Sequence, residues 1–304
     1  WLSFIPGIVK GIGLVCNIFL KEDEKVIVMP PVYHPFFLTP RGNHREVVWN
    51  PLIQREDGYY DIDFDGLEKV YDPKCRLLIL CNPHNPGGIC WTRETLQRLA
   101  DFCYDHHLLV ISDEIHCDLA LFGHKHIPFA SVSKRAAEIS ITFQAPTKTF
   151  NIAGIISSYC IIPNPDIRRK FFGWLKANEL DEAHIFAHIA TIAAFRKGEP
   201  WRRELIQTIE SNVRFVEDYC REHIPGIRPL RPQASFLVWL NCRDLQLSHA
   251  QLLDLFIDKA HLALNDGEMF GPGGEGFMRL NVGAPEAYIR QGLEQLATAV
   301  KNLR

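Results

Sequence analysis

The sequence predicts an α/β protein, in which a mostly parallel sheet covered by helices on both faces is followed by a smaller α+β unit. Three observations carry this expectation. Short, nearly continuous apolar runs at residues 25–29, 76–81, 108–112, 139–144 and 157–162 lack the alternation of a half-exposed strand, so both faces of the sheet should be covered. Helical patterns separate several of these runs. After Pro163 the pattern changes to long helices and then to mixed strands and helices. A chain of 304 residues is too long for one small core and suits a large unit plus a smaller one.

Taken in order, Trp1-Leu2-Ser3-Phe4-Ile5 reads as a core strand, and Pro6-Gly7-Ile8-Val9 opens the first helix. The clearest helix covers 92–107, where Leu96, Leu99, Ala100 and Cys103 share one face. Helical stretches at 165–196, with a break, and at 200–223 follow; the second repeats Leu205, Ile209, Val213 and Val216 at helical spacing. A strand at 235–240, a helix opened by the capping box Ser248-x-x-Gln251, two more strands and a final helix from Pro285 complete the chain. The expected division is a large unit over 1–164, connecting helices shared with it over 165–200, and a small C-terminal unit over 201–304.

Composition narrows the function class. Hydrophobic residues make up 47% and charged residues 23%, and the net charge of −3 gives no electrostatic reason to expect nucleic acid or an anionic membrane as partner. No apolar stretch approaches the ~18 residues of a membrane span, and the opening lacks the pattern of a signal peptide. The nine cysteines form no C-x-x-C pair, and most sit in apolar runs such as Leu77-Leu78-Ile79-Leu80-Cys81. They read as reduced thiols of a cytoplasmic protein.

Chemistry is expected where strands end. In open parallel sheets the ligand lies beyond the carboxyl ends of the strands. Four unusual segments follow such ends: Pro30-Pro31-Val32-Tyr33-His34, Asn82-Pro83-His84-Asn85-Pro86-Gly87-Gly88, Asp113-Glu114-Ile115-His116, and Ala145-Pro146-Thr147-Lys148-Thr149-Phe150-Asn151. Each alone is an ordinary turn composition. Together they supply what a pyridoxal phosphate cofactor needs. Lys148 is an amine for its aldehyde, and Asp113 a carboxylate to keep its pyridine nitrogen protonated. Asn85, with His116 as a further candidate, supplies donors for its ring oxygen, and Tyr33 an aromatic plate for its ring. The helix start at Gly7, Ile8 and Val9 offers backbone N–H groups for its phosphate.

The order Tyr33, Asn85-Pro86-Gly87, Asp113-x-x-His116, Thr147-Lys148, Arg279 resembles the class I/II aminotransferase branch of the fold-type I pyridoxal phosphate enzymes. The strings Pro31-Val32-Tyr33-His34-Pro35-Phe36, Asp113-Glu114-Ile115-His116 and Thr147-Lys148-Thr149-Phe150-Asn151-Ile152-Ala153-Gly154 are similar to the MalY/PatB-type cystathionine β-lyases. The resemblance runs the length of the chain. It implies a seven-stranded type of sheet, a homodimer with the active site at its interface, and an amino-acid substrate. Lys148 would be the Schiff-base lysine, with Asp113 on the pyridinium, Asn85 on the ring oxygen and Tyr33 stacked on the ring. Arg279 would clamp the substrate carboxylate beside Tyr33 and Asn85. The reaction implied is α,β-elimination on cystathionine or cysteine-type amino acids, to pyruvate, ammonia and a thiol. The alternatives are an aminotransferase using the same residues and a regulatory binding protein on the same fold.

Two departures from the common aminotransferase pattern concern the cofactor. His116 stands where that pattern has Tyr, and Ile155 and Ala145 stand where it has phosphate-binding Arg and Ser or Gly. The phosphate is therefore expected to be held by other groups: Thr147, Lys or Tyr side chains, and the helix start at Gly7. The chain also reads as lacking an N-terminal part, with a weaker hold on the cofactor as the expected consequence. Simpler readings exist for single residues: Arg279 paired with Glu275, His184 and His188 as ordinary surface or core histidines, and Gly271-Pro272-Gly273-Gly274 as a turn.

Overall fold

A computed structural model describes residues 1–303. The central sheet has seven strands in the order β1-β9-β8-β7-β6-β2-β3. These are β1 (Leu2–Ile5), β2 (Lys25–Val28), β3 (Glu46–Trp49), β6 (Cys75–Cys81), β7 (Leu109–Asp113), β8 (Ser140–Gln144) and β9 (Ser158–Ile161). Pairings among β3, β2, β6, β7 and β8 are parallel, whereas β9 runs antiparallel to both β8 and β1. β1 therefore points the same way as the parallel set. A two-stranded ladder, β4 (Ile53–Gln54) with β5 (Tyr60–Asp61), sits outside this sheet.

The uninterrupted apolar strands have the expected cause. Along β6, Leu77 and Ile79 pack into one core with α1 (Ile8–Phe19), α2 (Pro35–Gly42) and α6 (Pro165–Ala177). Leu78 and Leu80 face the other way, into a core with α3 (Phe64–Val70), α4 (Arg93–Asp105) and α5 (Lys134–Ile139). Each such leucine is fully buried, a gain of about 1.5–3 kcal/mol over exposure. Local signals set the helix starts. The Thr92 side chain accepts from Thr95 N–H at 3.2 Å, and Asn164 caps α6 ahead of Pro165.

The second sheet is antiparallel, in the order β10-β11-β13-β12, from β10 (Arg228–Leu230), β11 (Leu237–Asn241), β12 (Asn265–Asp266) and β13 (Phe277–Asn281). On one face it buries a core with α8 (Glu199–His223), α9 (His249–Asp254) and α10 (Glu286–Lys301). The capping box at Ser248 and Gln251 is present. The other face turns toward the large sheet: Trp239 stacks on Phe277 at 4.9 Å and donates to the Tyr59-adjacent Tyr60 hydroxyl at 3.1 Å. α7 (Ile185–Lys197) lies between α6 and α8 in the chain.

One expectation needs correction. β1 is an edge strand rather than a core strand, because it pairs only with β9 and leaves Trp1 and Leu2 exposed. Two elements carried too little pattern to be anticipated: α2, with Pro35 at its first turn and Pro40 inside it, and the four-residue β3.

Candidate active site

Because β1, β2, β6, β7 and β8 share one direction, their carboxyl ends lie on one edge of the sheet. The four strand-end segments singled out in the sequence, together with the helix start that follows β1, open there onto a cavity of about 510 Å³. That is within the range of small-molecule sites, ~300–1,000 Å³. Gly7, Ile8, Val9, Tyr33, Asn85, Asp113, His116, Thr147 and Lys148 all line it, and β13 adds Arg279.

Asp113 ends β7 with its carboxylate buried, and among the described residues one donor reaches it, Ile115 N–H on Oδ1 at 3.1 Å. Burial pushes its pKa up to about 7; the Glu114 charge adds to the shift, while the Ile115 bond and the Lys148 charge oppose it. A cation placed against this carboxylate would relieve the desolvation. Lys148 follows β8 on a turn pinned by Phe150 N–H to Pro146 O at 2.9 Å and Ile152 N–H to Thr147 O at 3.0 Å. Its side chain is exposed to the cavity, whereas Thr147 and Thr149 on either side are buried.

Arg279 reaches in from the second sheet. Its Nη1 donates to Asn85 Oδ1 at 2.8 Å and its Nη2 to Asn265 Oδ1 at 2.7 Å. Both partners are neutral, so the guanidinium charge is not cancelled; Glu275 instead accepts from Gly273 N–H. Nε is buried without a partner among the described residues, the guanidinium lies 4.7 Å from the Phe270 ring centre, and burial lowers its pKa to about 10. Arg279 has only donors, so Asn85 must present its oxygen to it and turn its NH₂ elsewhere. Tyr33 N–H donates to Asn85 O at 3.1 Å, which ties the aromatic candidate to the same loop.

His116 is buried, and burial together with the Lys148 and Arg279 charges drops its pKa to about 3, so its ring is neutral. The first turn of α1 carries no acidic residue, and its N-cap is Gly7 at φ 122°, with no side chain over the terminal N–H groups. Ile155 does not line the cavity; its carbonyl accepts from His184 Nε2 at 2.8 Å, which accounts for that histidine.

The second sheet and its approach also contribute Phe236, Asn265 and Asn281 to the lining, and α1 contributes Lys10. These residues carry no local motif. Asn265 and Arg279 are partners only because β12 pairs with β13 in that register.

The donor set suits pyridoxal phosphate. Lys10, Lys148 and Arg279 face Asp113 as the one carboxylate in the lining, so the cavity favours a ligand with more than one negative charge. Asp113 has room for a cation, and the bare N-terminus of α1 has N–H groups for a phosphate.

Comparisons with known proteins agree with this geometry. Residues 2–296 match the family model for aminotransferase class I and II. The chain is 44% identical over 300 residues to the cystathionine beta-lyase PatB of Bacillus subtilis, covering 98% of this chain and 77% of that protein. It is 31% identical to protein MalY of Escherichia coli, covering 98% and 76%. The crystal structure of cystalysin from Treponema denticola, which contains a pyridoxal 5′-phosphate cofactor, superposes with a TM-score of 0.96 at 35% identity, covering 100% of this chain and 77% of that one. The chain belongs to the class I and II aminotransferase family of pyridoxal-phosphate-dependent enzymes.

Proposed function

We propose that this enzyme is a carbon–sulfur lyase that carries out α,β-elimination on cysteine-type amino acids such as cystathionine. The observation that carries the reading is the 44% identity to a cystathionine beta-lyase across 98% of the chain. When bound, pyridoxal phosphate supplies a conjugated sink for the electron pair left on the substrate α-carbon.

This chain's residues would do the rest. Lys148 would hold the cofactor through its Nζ amine, and the same Nζ would be the base that takes the substrate α-proton. Asp113 would be the carboxylate that keeps the cofactor's ring nitrogen protonated. Asn85 would offer its NH₂ to the ring oxygen, and Tyr33 would cover the ring. Thr147 and the N–H groups at Gly7, Ile8 and Val9 would hold the phosphate. Arg279 binds the substrate carboxylate through its Nη edge, since Nε is sealed from the cavity. Loss of the α-proton would let the Cβ–S bond break with its electron pair going to sulfur, which leaves as the thiol once protonated, and the remaining carbon fragment would take up water to give pyruvate and ammonia.

The test is pyruvate release from cystathionine with no keto acid present. Continuous release of pyruvate and thiol is expected. Turnover that depends on an added keto acid would make the protein an aminotransferase instead.

We infer also that residues 1–164 with the helices of 165–200 form the cofactor-binding unit, and 201–304 the unit that closes the substrate side. A homodimer fits the exposed apolar residues of α7 (Ile185, Phe186, Ile189, Ile192 and Phe195), which are costly to leave in water. Sedimentation of the protein and of Phe186→Glu would test this, with a shift toward monomer expected for the variant.

A further inference from the structure

His116 is held from one side by the chain segment that enters β11. Ser235 Oγ lies 3.1 Å from His116 Nδ1, and the Phe236 ring stands edge-on to the imidazole at 5.7 Å. Ser235 is buried, and its backbone N–H donates to Leu119 O at 2.8 Å, in the turn that follows His116. It also sits at φ 78°, a left-handed conformation that costs a non-glycine residue free energy. A serine kept there asks for a reason, and the hydroxyl supplies one.

Among the described residues, Nδ1 is the only polar side-chain atom paired with Ser235 Oγ. A buried hydroxyl whose one partner is a ring nitrogen keeps its own hydrogen satisfied only by donating it. If Nδ1 carried the hydrogen, the serine O–H would be left buried without an acceptor. The opposite nitrogen, Nε2, has no partner among the described residues. It is not among the sealed polar atoms, and His116 lines the cavity, so Nε2 opens toward it.

We propose that Ser235 is a positioning residue that fixes His116 as the neutral tautomer with hydrogen on Nε2, so that the imidazole is an obligatory donor into the cofactor cavity. The donor faces an oxyanion of the bound group rather than a cation. Burial first, and then the nearby Lys148 and Arg279 charges, keep the ring from taking a second proton. The proposal rests on the cavity being the cofactor site, but its core claim concerns two side chains of this chain alone. It also gives the second unit a role in the chemistry, since Ser235 lies 119 residues beyond its partner.

The experiment is nitrogen NMR of the full chain labelled with ¹⁵N-histidine, with and without pyridoxal phosphate, the His116 signals being assigned by their loss in His116→Gln. The parent should show Nδ1 as the bare nitrogen and Nε2 as the protonated one in both states. Ser235→Gly removes the hydroxyl and relieves the backbone, so folding is preserved. It should shift His116 toward a mixture of tautomers and lower kcat about tenfold with little change in KM. Hydrogen on Nδ1 in the parent, or an unchanged tautomer in Ser235→Gly, would overturn the proposal. Absence of pyruvate release from a parent with the stated tautomer would sink the lyase reading and leave this assignment standing.

Discussion

The two sides of the β7 end place carboxylates one residue apart in opposite circumstances. On the rear side, Glu114 is fully buried and accepts from Ser112 Oγ, Phe129 N–H and His126 Nε2, each at 2.9 Å, and from Gln144 Nε2 at 3.4 Å. On the cavity side, Asp113 is almost as buried yet has a single donor among the described residues. Burial is common to both, so burial does not separate a structural carboxylate from a reactive one. What separates them is unmet demand. Glu114's lone pairs are spent inside the protein, whereas Asp113 is left for something that enters the cavity.

The largest effect should come from the cavity side. Lys148→Ala is expected to abolish turnover while leaving pyridoxal phosphate able to bind, and borohydride should no longer fix it to the protein. Fixation on another lysine would break the assignment. Asp113→Asn should cost roughly two to four orders of magnitude in kcat, measured as pyruvate release, since a neutral amide cannot hold the ring nitrogen protonated. Near-parent activity would put Asp113 on the same structural footing as Glu114. Arg279→Lys should raise KM about 10- to 100-fold while cofactor affinity changes little, because an ammonium cannot span a carboxylate as the guanidinium does. Equal losses in both would point to a folding defect.

The rear side should answer in stability rather than rate. Glu114→Gln exchanges an acceptor oxygen for donors facing His126 or Ser112, at a cost of about 1–3 kcal/mol in urea unfolding, with kcat reduced only a few-fold. The cofactor-free protein offers a finer contrast. The Asp113 pKa is raised from 3.8 to about 7, so the folded state holds a proton that the unfolded state has released across that interval. Its contribution to stability is complete below about pH 4 and is lost as pH rises to about 7. Asp113→Asn should remove that decline from the pH–stability curve. A curve that keeps the parent slope would mean another group is responsible.

Much of this was legible in the residues. Leu77-Leu78-Ile79-Leu80 announces a strand covered on both faces because neighbouring side chains on a strand point to opposite faces, and both must be apolar if both are buried. The capping box at Ser248 and Gln251 is a pair of local hydrogen bonds within three residues of chain, and it was readable for that reason. β1 was misread because apolar composition cannot distinguish a strand with two neighbours from one with a single neighbour.

By itself the sequence determined where strands end and which reactive side chains stand there, since both depend on short-range periodicity and turn chemistry. The tertiary structure alone decided what those side chains meet. That Asn85 turns its oxygen to Arg279, that Asn265 shares that guanidinium, and that Ser235 holds His116 are contacts across 194, 14 and 119 residues. They arise because the antiparallel second sheet packs against the carboxyl edge of the first, with Trp239 and Phe277 buried between the two. Such contacts follow from strand register and sheet packing, which sum many weak apolar contacts over the whole chain and leave no signature in any one segment.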